Sequence, residues 1–198
     1  MCSLMDGSYC PTPVRRVEIL KDNGKMCLLG MLALVDRLVQ QVINQVLTQI
    51  YESHFTSNSY GFRPKRGCLD ALRRTQNFVN EGYKYVVDFE CFFDMVSYSL
   101  PIEILSRTIK DGRVVSRIHK YLRSVIMNYG MFEISKEGTP KGGTLSPLLS
   151  NIMPNELDKE LTQRGHPFVR YADDSMIFCK SKKAALQTKE SITRFIEG

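Results

Sequence analysis

FVRYADDSMIF, residues 168–178, sets two adjacent carboxylates, Asp173 and Asp174, between two runs of strand-forming residues. Adjacent like charges repel, and partial burial raises the cost of keeping both ionised. A fold accommodates such a pair most readily when a cation sits between the acids. The flanking runs read as two strands paired in a hairpin, with the acids at its tight turn. A third acid, Asp88, stands inside another apolar run, YVVDFECFF, residues 85–93. That run reads as a largely buried strand, where an unpaired carboxylate would cost several kcal/mol. If the two strands are neighbours, three carboxylates converge. They would then form a ligand set for two Mg²⁺ ions about 3.5–4 Å apart at a phosphoryl-transfer site. On these residues alone two plainer readings stay open: a solvated A-D-D turn, and Asp88 paired with an arginine such as Arg170.

The rest of the chain supplies an α+β setting for this hairpin. Residues 11–32, PTPVRRVEILKDNGKMCLLGML, read as a β-hairpin across KDNGK, whose Asn-Gly pair favours positive φ. Val35, Leu38, Val39, Val42, Ile43, Val46, Leu47 and Ile50 recur at helical spacing, which predicts a core helix. The turn-rich loop SNSYGFRPKRG is followed by a helix over about 69–80. Helices are expected at about 101–110, 114–127 and 146–163, with a short strand at MFEIS and a last amphipathic helix after the A-D-D hairpin. Strand and helix order suggests a small antiparallel sheet backed by helices.

The 198 residues are enough for one good-sized domain or two small subdomains, and 43% hydrophobic with 24% charged residues is ordinary for a globular chain. The net charge of +6 permits a polyanionic partner without requiring one. Six cysteines without a C-x-x-C pair argue against a zinc cluster. The longest apolar run, Met26–Val35, falls short of the roughly 20 residues of a membrane span. No secretory signal is read at the N-terminus, so a cytoplasmic location is expected.

SYGFRPKRGCLDAL, GTPKGGTLSPLLSNI and FVRYADD with its YADD, in this order and with LDKEL between the last two, resemble the reverse transcriptases encoded by group II introns. The likeness extends through VRRVEI, DRLVQQ and YVVDFECFFD, and so spans nearly the whole chain. The resemblance implies a right-hand polymerase with fingers and a partial palm: a fingers-like region at 1–85 and a palm-like region at 86–198. Finger helices would lie near 100–128, the palm would be incomplete at its C-terminal end, and the thumb would be absent. It also implies RNA-directed DNA polymerase activity, with Asp88, Asp173 and Asp174 catalytic. Those aspartates and the backbone carbonyl of Phe89 would bind two Mg²⁺ ions, with Mn²⁺ as a substitute.

By the same resemblance, Lys21, Phe93, Lys141, Gly142 and Gly143 would meet the incoming nucleotide. Phe93 would lie under its sugar, or else be a core residue; Lys21 could instead be solvated. Arg63, Lys65 and Arg66 would contact template phosphates, with Arg63 alternatively anchoring its own loop. Expected partners are an RNA template, a DNA primer, a deoxynucleoside triphosphate and a group II intron RNA. The chain departs from the family pattern at Cys27, where an arginine is usual, at Leu32 for a proline, at Lys141 for a glutamine, and in a shorter strand before Asp88. Those departures keep a second function open: a catalytically inactive RNA-binding fragment, or a maturase-like splicing factor.

Overall fold

The computed structural model describes residues 8–20, 26–89, 99–123, 125–128, 131–134 and 143–197. The chain divides into two compact units, each assembled from two separated segments. One is Met1–Gln49 with Asp94–Leu149, the other Ile50–Phe93 with Ser150–Gly198.

The first unit is built on a four-stranded sheet. Strands β1 (Val14–Leu20) and β2 (Met26–Met31) pair antiparallel from Arg15↔Met31 to Leu20↔Met26, the hairpin expected from the sequence. Helix α1 (Leu34–Glu52) follows, and two shorter helices, α3 (Ser99–Thr108) and α4 (Gly112–Leu122), come later in the chain. The Asp111 side chain caps α4 by accepting the backbone N–H of Arg113 at 2.9 Å. The helix expected to reach residue 127 ends at Leu122. Residues Val125–Asn128 form β4 instead, parallel to β1 and antiparallel to β5 (Met131–Ile134). The β-branched pair Val125-Ile126 suits a pleated ladder better than a last helical turn. The sheet, ordered β2-β1-β4-β5, is therefore mixed rather than purely antiparallel.

Helix α1 exists where its periodicity demands, but it is turned differently from the core helix expected. Val35, Leu38, Val42, Val46 and Ile50 are exposed, whereas Asp36, Gln40, Leu47 and Tyr51 are buried. Polar satisfaction explains the rotation. The Asp36 carboxylate accepts the Tyr9 hydroxyl and the Thr12 N–H, and Gln40 Oε1 accepts the Leu145 N–H at 3.5 Å. Val42→Ser is accordingly expected to change stability by less than about 0.5 kcal/mol in urea unfolding, as befits a surface position.

The second unit holds helix α2 (Cys68–Asn80) and a three-stranded antiparallel sheet ordered β3-β7-β6. Its strands are β3 (Tyr85–Phe89), β6 (Phe168–Tyr171) and β7 (Asp174–Cys179). The single helix expected over 146–163 is two, α5 (Ser146–Ile152) and α6 (Pro154–Gln163). Pro154 lacks the N–H that a continuous helix would need there. Helix α7 (Lys182–Glu197) completes the unit.

Alternation along the strands gives this sheet two unlike faces. Val87, Phe168, Ile177 and Cys179 pack with Leu157 and Leu161 of α6 and Ile192 of α7. Each such large apolar side chain contributes about 1.5–3 kcal/mol on burial. On the opposite face Val169 and Phe178 pack with Ala71 and Phe78 of α2 and with Tyr60. Strand β3 is less buried than its composition predicts: Val87 is covered, Phe89 half-covered, and Tyr85, Val86 and Asp88 are exposed. It is an edge strand of the described sheet, so much of it keeps access to solvent.

Candidate active site on the three-stranded sheet

The hairpin β6–β7 closes on the pair Tyr171↔Asp174, leaving Ala172 and Asp173 as a two-residue turn. Ala172 has φ +58°, whereas Asp173 does not share the positive φ. Positive φ at the first central residue alone is the pattern of a type II′ turn, which glycine usually occupies. A non-glycine residue held in this region stores strain, and such strain concentrates at functional sites. Asp173 is half-buried and Asp174 exposed.

Register decides which way the third acid points. Asp88 lies opposite Met176, and directly opposed residues share a face. Asp174, two residues before Met176, lies on that face as well. Asp88, Met176 and Asp174 are all exposed there, and diagonal neighbours of this kind stand about 7–8 Å apart. The shorter strand before Asp88 has thus not turned its carboxylate into the core. Asp88 also escapes the burial penalty expected of it. Its alternative partner, Arg170, is cross-strand to Ser175, hence on the opposite face, and is ion-paired with Asp158 at 2.8 Å. The Phe89 side chain points the same way as Arg170 and packs against the core that includes Ile177 and Leu161.

The donor set fits a hard cation. Among the described residues no three His, Cys, Asp or Glu side chains converge as a metal cage. Mg²⁺ needs none: it usually takes one or two carboxylates, keeps several waters and completes its shell with substrate phosphates. Two exposed carboxylates on one sheet face, with a third in the adjoining turn, meet that requirement.

The loop before α2 corrects one expected template contact. Arg63 is buried, its side chain 3% exposed. Nε and Nη2 bind the Glu52 carboxylate, Nη2 at 2.6 Å, and Nη1 donates to the carbonyls of Thr56 at 2.6 Å and Ser59 at 2.9 Å. Its guanidinium stacks near Phe55, 5.2 Å from the ring centre. Arg63 is the loop anchor, and its donors point inward rather than to a phosphate. Arg66 is half-buried, donating to the Ser57 carbonyl at 2.5 Å and lying over the Tyr60 ring. Lys65 is exposed at φ +59°. Arg63→Lys loses the planar fork and is expected to lower stability by about 1–2 kcal/mol in urea unfolding, with RNA affinity unchanged.

Lys21, Phe93, Lys141 and Gly142 lie outside the described residues. Gly143 is described, and a Cβ there would meet Gln40 Oε1 and Ser146 Oγ, each at 3.0 Å. Gln40, a residue with no signal of function in the sequence, thus packs against the end of the glycine-rich stretch.

Sequence reasoning also missed what lies beneath the A-D-D turn. Arg170 and Asp158 are both fully buried, and Ser59 and Asn151 are buried with them. Arg170 Nε donates to both Asp158 oxygens at 2.9 Å. Nη1 donates to Asn151 Oδ1 at 2.8 Å and to the Ala172 carbonyl at 2.7 Å, and Nη2 to Ser59 Oγ at 2.7 Å. Burial pushes the Asp158 carboxyl up, while Arg170 and the Thr56 hydroxyl pull it back down. The sequence signal was that Ser59, Asn151, Asp158 and Arg170 each stand in a stretch the resemblance matched, SYGFRPKRGCLDAL, GTPKGGTLSPLLSNI, LDKEL and FVRYADD, without its assigning this network to them.

Comparison with known proteins bears on this geometry directly. Residues 19–197 match the family model described as reverse transcriptase (RNA-dependent DNA polymerase). Protein YkfC of Escherichia coli K12 is 33% identical, aligned over 98% of this chain and 62% of its own length. The group II intron-encoded protein LtrA of Lactococcus lactis is 38% identical over 85% of this chain and 28% of its own. The chain therefore spans under two-thirds of these curated relatives. Among solved structures, a chain of a partial Cas6-RT-Cas1–Cas2 complex superposes with a TM-score of 0.57 at 26% identity, covering 98% of this chain and 34% of that one. Apo telomerase from Candida tropicalis, truncated from its C-terminal domain, reaches a TM-score of 0.65 at 13% identity, over 92% of this chain and 47% of its own, and so shares the fold. With the A-D-D hairpin, the facing strand aspartate and a family match over nearly all its residues, the chain belongs to the reverse transcriptase (RNA-dependent DNA polymerase) family.

Proposed function

We propose that this chain carries the nucleotidyl-transfer centre of an RNA-directed DNA polymerase, extending a DNA primer on an RNA template. The observation that supports this most is the register pairing Asp88 with Met176, because it gives Asp88 and Asp174 one open face beside Asp173. Asp88, Asp173 and Asp174 would hold two Mg²⁺ ions, or Mn²⁺ in their stead, with the Phe89 carbonyl as a further ligand. When bound, the ions lower the pKa of the primer 3′-hydroxyl and neutralise charge on the triphosphate. The aspartates would fix where that charge is neutralised, with Asp173 and Asp174 set by the hairpin and Asp88 by the strand paired to it. The primer oxygen attacks the α-phosphorus of the deoxynucleoside triphosphate, and pyrophosphate leaves.

Exposed Lys65, with Arg66, would meet template phosphates. Lys21, Phe93, Lys141, Gly142 and Gly143 would meet the nucleotide. A fingers-like 1–85, a palm-like 86–198, a group II intron RNA as partner and a cytoplasmic location belong to the same proposal.

The test is single-nucleotide incorporation on an annealed RNA template and DNA primer, in Mg²⁺, in Mn²⁺ and in EDTA, with RNA binding followed in the same samples. Metal-dependent extension that EDTA abolishes is the expected result. RNA binding without extension under every condition would overturn the catalytic reading in favour of an RNA-binding role.

A further inference from the structure

The geometry points to Arg170 as a positioning residue, one that works from beneath the sheet to hold the A-D-D turn in its strained shape. This inference rests on the proposed metal-binding role of Asp173 and Asp174 and names what sets their position.

Three observations carry it. First, Arg170 spans from Asp158 on α6 to the turn itself, donating Nη1 to the Ala172 carbonyl at 2.7 Å. That carbonyl belongs to the residue at φ +58°, immediately before Asp173. A charge-assisted bond to a strained peptide, made inside a fully buried site, favours that one backbone geometry. Second, the Arg170 main chain is pinned by the loop beside β6: its N–H donates to the Asn58 carbonyl and its carbonyl accepts the Tyr60 N–H, both at 2.9 Å. The side chain therefore acts from a fixed base.

Third, backbone alone crowds the turn at Gly61. A Cβ on Gly61 would fall 2.3 Å from the Ala172 nitrogen and 3.0 Å from its Cα. Only a glycine lets the 58–61 loop approach the turn this closely. Asn151 joins the two supports, accepting from Arg170 Nη1 at 2.8 Å and donating Nδ2 to the Gly61 carbonyl at 2.7 Å. Arginine and glycine thus both meet Ala172 with Asn151 bridging them, and Asp88 and Asp174 lie on the sheet face opposite the guanidinium. Residues that orient metal ligands in this way ordinarily matter nearly as much as the ligands themselves.

The test compares the full chain with Asn151→Ala, which removes the bridging amide, and Gly61→Ala, which displaces the turn sterically while removing no hydrogen-bonding group. Ser59→Ala, which deletes one acceptor of Arg170, is the mildest of the set and keeps a folded variant in hand. Thermal melts establish that each is folded. Amide hydrogen exchange over Tyr171–Ser175 and Mn²⁺ affinity by electron paramagnetic resonance are then measured, with Asp173→Asn as reference.

Folded variants are expected to exchange about tenfold faster at the turn and to bind Mn²⁺ about 10–100-fold more weakly, the usual scale for residues supporting metal ligands. In single-nucleotide incorporation the metal concentration that gives half the maximal rate rises on the same scale, and raising that concentration restores most of the lost rate. Unchanged exchange and unchanged Mn²⁺ affinity in a folded variant would overturn the inference alone. So would an activity loss that merely tracks the unfolded fraction. A parent chain whose Mn²⁺ uptake ignores Asp173→Asn would instead overturn the metal-site reading, and the positioning role with it, even if the turn loosens.

Discussion

Replacing Asp158 with alanine is expected to cost about 3–5 kcal/mol of stability, the scale for breaking a buried ion pair from one side. Both Asp158 and Arg170 are 0% exposed, so alanine leaves a buried guanidinium without its carboxylate. Its remaining partners, Ser59, Asn151 and the Ala172 carbonyl, are neutral and do not offset the charge. Domains of this size have only about 5–15 kcal/mol in total. The variant should therefore be partly unfolded at modest temperature, visible as a large drop in the urea midpoint. The double variant Asp158→Leu with Arg170→Met removes both charges and should recover most of that loss. It would recover stability without recovering the bond to the Ala172 carbonyl, so its turn should remain loose.

Asp173→Asn is expected to reduce Mg²⁺-dependent incorporation by about 10²–10³-fold or more, the scale for removing one preorganised electrostatic group from a transition state. The amide keeps the size and shape of the carboxylate but neither its charge nor its value as a hard anionic donor for Mg²⁺. Asp173 is only half-buried, so the fold should tolerate the change, and the melting temperature and RNA affinity should stay near those of the parent chain. Activity equal to the parent's would sink the assignment of the aspartates. Retained RNA binding with lost incorporation separates a damaged catalytic centre from a damaged protein.

Much of the candidate site was legible because its signals are local. The A-D-D turn between two β-rich runs determined the hairpin, and the apolar, β-branched run YVVDF made Asp88 a strand residue. Neither stretch contained the register. Pairing Asp88 with Met176 depends on how two strands some ninety residues apart slide past each other, and a one-residue slip would have reversed the face. The break at Pro154 was also local and readable, since proline has no N–H to continue the preceding helix.

Other outcomes were beyond any window of sequence. The spacing of Val35, Leu38, Val42 and Val46 established a helix, yet the fold buries Asp36 and Gln40 on it instead. The Tyr9 hydroxyl, the Thr12 N–H and the Leu145 N–H wait on that side to receive them. Arg63 in a basic loop reads equally as a phosphate ligand or an anchor until Glu52 and two carbonyls claim its donors. Arg170, beside the A-D-D turn, reads as a partner for Asp88 and belongs to Asp158.

By itself, the sequence determined most of the helix, strand and turn segments, though not the strand Val125–Asn128 or the division at Pro154, and which acids the turn presents, because periodicity and turn chemistry act between near neighbours along the chain. Only the tertiary structure decided which face of a helix is buried, which charge meets which, and what holds Ala172 in place. Those depend on satisfying buried polar groups with partners outside any one helix or strand: Arg63 and Glu52 are separated by 11 positions, Ser59 and Arg170 by 111.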